Sequence, residues 1–154
     1  MPQEQLTKDH CQSLISAVES VFNKINQPRV TADLAWEWDD KHQVLLTHFA
    51  RNFAPDIQAL VAKELPEHWH VNNFKSAPRI LREQLIRYGK LSKGQHYYTK
   101  SATDDCPALI AIWWPWGHGS TYSLRFGLLE HSYDLGQMAE PSIWHRLKKV
   151  FNRA

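Results

Sequence analysis

The sequence predicts an α+β fold from three observations: a doubly apolar hairpin at 108–129, a two-residue alternation at 30–38, and a 3.6-residue apolar stripe at 7–25. Together they imply a single domain. It would hold an antiparallel sheet of about three to five strands, centred on hairpin 108–129 and packed with four or five α-helices. A chain of 154 residues can bury such a core without disulfides or a metal.

The first arm of the hairpin is apolar on both faces, with Ala108, Ile110, Ile112 and Trp114 on one and Leu109, Ala111 and Trp113 on the other. That pattern suits a strand covered on two sides. The second arm alternates: Tyr122, Leu124, Phe126 and Leu128 share one face, while Thr121, Ser123, Arg125 and Gly127 share the wetter one. Trp116-Gly117-His118-Gly119-Ser120 supplies the turn between strands 108–115 and 120–129. Trp116 and His118, nearest its tip, are the aromatic residues expected to face solvent.

Taken in order, the chain opens with a helix over 7–25, its stripe built from Cys11, Leu14, Ile15, Val18, Val21, Phe22 and Ile25. Thr7 is its expected N-cap and Pro28 follows its end. Val30, Ala32, Leu34, Trp36 and Trp38 then alternate with polar or small residues, predicting a strand at 30–38 that lines Asp33, Glu37 and Asp39 along a wet face. Asp40-Lys41-His42-Gln43 has the form of a capping box, so helices are expected at about 41–52 and 55–64. Ser76, Pro78 and Gly89 bound a further helix at 77–88, with Ile80, Leu81, Leu85 and Tyr88 as its core face. A short strand is expected at 96–100, and a last helix at 141–152 with Ile143, Trp144, Leu147, Val150 and Phe151 on its stripe.

A net charge of +2 conceals alternating blocks. Residues 1–74 carry six Lys/Arg against ten Asp/Glu, and residues 75–100 carry seven against one. Residues 101–140 carry one against five, and 141–154 carry four and none. Such segregation suits charge-complementary docking. In the basic block, Lys75, Arg79, Arg82, Arg87, Lys90, Lys93 and Lys100 alternate with Tyr97 and Tyr98. Cations for phosphate and flat rings for bases are what a nucleic-acid surface needs.

Reaction chemistry is thinly signalled. There is no phosphate-binding loop, dinucleotide glycine pattern, Gly-x-Ser-x-Gly elbow or His-Glu-x-x-His helix. His68 and His70 have a spacing used by some zinc sites, with Glu67, His96, His118, His131 and Cys106 as scattered further donors. No paired ligand motif accompanies them, so neither metal nor cofactor is expected. Cys11 and Cys106 follow no disulfide pattern and suit a reducing compartment. The N-terminus resembles no signal peptide, and no apolar run reaches membrane-spanning length.

The leading expectation is a small cytoplasmic, non-enzymatic protein that binds another macromolecule, most plausibly a protein, as inhibitor, immunity factor or adaptor. Trp116 and His118 are its expected anchors, and Arg79, Arg82 and Arg87 its steering groups. The alternative is nucleic-acid binding through 75–100. A metal-dependent hydrolase or nuclease ranks third, since it would require His68, His70 and Asp105 to converge.

Overall fold

The structure, a computed structural model, describes residues 2–26 and 34–137. Its strands are β1 (Glu37–Asp39), β2 (Val44–Ala50), β3 (Glu67–Trp69), β4 (His96–Lys100), β5 (Leu109–Pro115) and β6 (Thr121–Leu128). Three α-helices accompany them among the described residues: α1 (Gln3–Asn26), α2 (Ala54–Glu64) and α3 (Arg79–Leu85). The strands form one antiparallel sheet in the order β1-β2-β6-β5-β4-β3, with the longest strands in the middle and three-residue strands at both edges.

The α+β class holds, and the sheet is larger than predicted. Six strands replace three to five because the segment read as a helix at 41–52 is β2, and because β3 was not anticipated. Val44, Leu45, Phe49 and Phe53 fit a helical stripe. They equally fit a strand with apolar side chains on both faces, and pairing with β6 over Val44–Ala50 decides it. The Asp40–Gln43 segment is the turn between β1 and β2, not a helix start, and its bonds are not those of a capping box. The Gln43 side-chain amide donates to the Asp40 carbonyl (2.6 Å) and carboxylate (3.0 Å), while Gln43 itself takes a left-handed φ of 57°.

Other boundaries move less. α1 begins at Gln3, so Thr7 lies inside it and donates its hydroxyl to the Gln3 carbonyl, not to a helix-capping site. The strand predicted at 30–38 is seen as β1 from Glu37, and residues 30–33 of that prediction lie outside the described residues. The helix expected at 141–152 also lies outside them. The helix predicted at 77–88 is α3 followed by a tighter turn at Ile86–Tyr88, ended by Gly89 at φ 109°.

Both faces of the sheet are covered, and β5 is the reason. Leu109, Ala111 and Trp113 point to the α1–α2 side, where they meet Leu45, Phe49, Leu124, Phe126, Cys11, Val18, Ile57 and Val61. Ile110 and Ile112 point the other way, onto Val44, Trp69, Tyr97, Ala77, Leu81, Leu85 and Tyr88. The predicted division of β5 into two apolar faces is therefore realised.

Gly127 lies between β2 and β5 on the α3 side, where a Cβ would stand 2.8 Å from Val44 Cγ1 and 3.4 Å from Ile110 Cγ2. It is thus not a wet-face residue. Gly127→Ala is expected to destabilise the fold by about 1–3 kcal/mol through overpacking, read as a lower denaturation midpoint in urea. An unchanged midpoint would contradict this placement.

Candidate interaction surface

Of the five exposed large hydrophobic side chains among the described residues, three (Val71, Ile80 and Ile86) lie in the segment 70–91, beside its basic residues. After β3, the chain turns at His70–Phe74: the Asn73 and Phe74 amides both donate to the His70 carbonyl, and Asn73 Oδ1 accepts from the His70 amide. Phe74–Ser76 forms one tight turn, extended Ala77 and Pro78 follow, and α3 begins at Arg79. Leu81, Leu85 and Tyr88 are spaced four and three residues apart, so one stripe enters the core. Ile80 and Ile86 fall off that stripe. Ile80, predicted as a core residue, is 44% exposed, and Ile86 is 68% exposed.

Two shallow depressions meet at Phe74, Lys75 and Ile86. One, of about 390 Å³, is completed by Val71, Gly89, Lys90 and Leu91. The other, of about 350 Å³, is completed by Arg82 and Glu83. Val71 is 53% exposed. Their floor is aliphatic and aromatic, and their rim carries Lys75, Lys90 and Arg82.

The predicted steering arginines are already engaged within the molecule. Arg79 pairs with Glu83 at 2.8 Å, and Arg87 pairs with Glu130 at 3.1 Å while also donating to the Tyr88 hydroxyl. Arg82 donates to the Ala77 carbonyl at 2.9 Å, closing the turn before α3. Lys75, Lys90, Lys93 and Lys100 make no ion pair among the described residues. The cations that remain for a partner are therefore mainly lysines. Tyr97 and Tyr98 are core residues, one on each face of β4, so neither ring is presented to a base.

At the β5–β6 turn, Trp116 is 45% exposed and His118 is exposed. Trp116 contacts the rings of His48 (5.6 Å between centroids) and His118 (5.7 Å). His118 Nδ1 also accepts from the Ser120 amide. Trp114, two residues earlier, is half-buried beneath the Arg125 guanidinium, 4.7 Å from its ring centre. It also stands against Gly89, so the groove lies at the end of the sheet where β5 runs out.

The structure brings together three histidines that sequence offered only as scattered donors. His68 Nε2 and His96 Nδ1 share a hydrogen bond of 2.7 Å, and the His70 ring centre lies 5.1 Å from that of His68 and 6.3 Å from that of His96. Tyr98, held by the Gln58 amide, stacks on His68 at 4.6 Å. Burial and the neighbouring His96 and His70 push the His68 imidazole down to about 4, and burial with His70 lowers His96. At neutral pH the hydrogen-bonded His68–His96 pair is uncharged. Among the described residues no group of three or more His, Cys, Asp or Glu is arranged to hold a metal ion. Asp105 lies in the β4–β5 connection, beyond the Lys100–Leu109 pair, whereas His96 pairs with Trp113 at the other end of β4. The residues required for the hydrolase reading are thus not gathered in one place.

On the opposite face of β3, Glu67 is saturated. Its carboxylate accepts from Thr99 Oγ1 (2.8 Å), the Ser101 amide (3.1 Å) and hydroxyl (2.8 Å), and the Tyr133 hydroxyl. Trp69 Nε1 donates to Thr99 Oγ1 at 2.9 Å. These bonds fasten the segment after β6 to the sheet edge and leave the carboxylate occupied. Cys11 and Cys106 are free thiols; burial and the nearby Cys106 push the Cys11 thiol up to about 12, away from thiolate chemistry.

The apolar part of this surface was the hardest to foresee. Val71 follows a histidine pair in the turn after β3 with no pattern to mark it, and Ile86 sits among arginines, where only its position off the Leu81-Leu85-Tyr88 stripe marks it as outward-facing. No described helix is long and apolar enough to cross a membrane. No family model matches the chain, and no curated protein or solved structure matches it either.

Proposed function

We propose that this is a non-enzymatic binding protein whose partner is another protein, acting as an inhibitor, immunity factor or adaptor in a reducing compartment such as the cytoplasm. The observation that carries this reading is the groove at Phe74 and Ile86. It sets exposed aliphatic side chains beside lysines that have no carboxylate partner among the described residues. Apolar centres with a charged rim are the usual anatomy of a protein interface. Phe74, the one ring lining the groove, is partly buried against Tyr97 and the rest of the apolar lining is aliphatic, which favours protein over a stacked nucleobase.

The contact set is Val71, Phe74, Lys75, Arg82, Ile86 and Lys90, with Trp116 and His118 as a second exposed site. Arg79 and Arg87, bridged to Glu83 and Glu130, steer less than a bare count of arginines implies.

Replacing Ile86 with a photo-crosslinking phenylalanine analogue tests the proposal in native lysate. A discrete protein adduct, unaffected by nuclease and missing when the analogue is placed at exposed Lys63, is the expected result. Adducts that vanish with nuclease, or that form equally from position 63, would overturn it.

A further inference from the structure

Resting on that reading, we infer that the groove receives an acidic, amphipathic segment of the partner, with two apolar side chains on one face and carboxylates directed at Lys75 and Lys90. The two depressions lie side by side and share Phe74, Lys75 and Ile86, so each takes one side chain while the ridge between them is common. A helical segment with apolar residues three or four positions apart presents such a pair on one side.

Charge selects the rest of the segment. Residues 75–100 carry seven cations and one carboxylate, and that carboxylate, Glu83, is already bridged to Arg79. Lys75 borders both depressions and Lys90 borders the one completed by Val71 and Leu91. Glu83 borders only the other. The incoming carboxylates therefore belong beside the Val71–Leu91 depression, and the Glu83 end tolerates a neutral residue. Opposite charge at the rim speeds encounter and fixes register, while Ile86 and Phe74 supply the desolvated centre.

The test is a random dodecapeptide display library selected on the full-length protein and counter-selected on Ile86→Asp. Ile86 is exposed, so the aspartate variant should fold, and its circular dichroism and Tm should match the parent. The selected peptides are expected to combine Asp or Glu with Leu, Ile or Phe spaced three or four apart. A representative peptide should lose at least about tenfold in affinity on Ile86→Asp and on the double change Lys75→Glu with Lys90→Glu. The same peptide with lysines in place of its acids should bind that double variant better than it binds the parent.

Selected peptides that need Ile86 but are neutral or basic would overturn the acidic segment and leave the protein-binding surface standing. Peptides indifferent to Ile86, or no enrichment at all, would remove the surface along with the segment. A single-stranded 12-mer oligonucleotide or laurate that binds in an Ile86-dependent way more tightly than any acidic peptide would replace the occupant by another class.

Discussion

Trp113→Ala is expected to lower the unfolding free energy by about 3–5 kcal/mol, the largest effect of any single substitution considered for this fold. The Trp113 side chain is 1% exposed and packs on the α1–α2 side of the central strand, with Phe49 at 5.6 Å and Tyr122 at 5.4 Å between ring centres. Truncation opens a void between the sheet and the α1–α2 layer, where close packing limits relaxation. Trp116→Ala is the contrast. Its ring is half in solvent, and its loss should move stability by no more than about 0.5 kcal/mol. Urea denaturation of both variants checks the pair, and near-equal midpoints would contradict the two placements.

Acidification should weaken the protein between about pH 6.5 and pH 4, and a His68→Gln, His96→Gln variant should be flatter across that window. The imidazole of His68 is lowered from 6.5 to about 4 in the folded state and that of His96 is lowered too. The unfolded chain therefore binds more protons in this range. Stability falls as pH drops below the unfolded value, and the slope ends near the folded one. Allowing for the exposure of the His68 ring, the loss is on the order of 1 kcal/mol. Asp39 is lowered as well, because the His42 side chain and amide bond its carboxylate against the opposing effect of burial, and it adds to the acid loss. The difference between parent and variant isolates the histidines, since Asp39 is common to both. Glutamine at position 68 keeps a hydrogen-bonding side chain beside position 96 while removing the ionisable ring. Parallel Tm-against-pH curves for the two proteins would show that the cluster contributes nothing.

Much of the sheet was legible wherever side-chain alternation was unambiguous. Ile110 and Trp113 announce a strand buried on both faces, and Leu124 and Phe126 announce its neighbour. α1 was legible because seven apolar residues repeat at helical spacing over the fifteen positions from Cys11 to Ile25. β2 was not, since Val44-Leu45-Leu46 is apolar without period and Phe49 and Phe53 lie at helical spacing. Its state is set by a partner, β6, more than seventy residues away. β3 is three residues long, too short for any pattern to emerge.

The candidate surface divides in the same way. Its charge was visible as a basic block, but which cations stay unpaired depends on Glu83, one helical turn from Arg79, and on Glu130, which only the folded chain brings to Arg87. The histidine cluster likewise depends on β3–β4 pairing, which sets His68 opposite Tyr98 and thereby beside His96.

The brevity of β1 and β3 has a consequence for how the molecule behaves at high concentration. Long, hydrogen-bond-hungry strands such as β5 and β6 could template fibril growth if their flanks were bare. Here each is flanked on both sides by another strand, and among the described residues the margins of the sheet are three residues long and carry Glu37, Asp39, Glu67 and His68. A second chain would find little to zip onto, so self-association is steered away from the rims of the sheet.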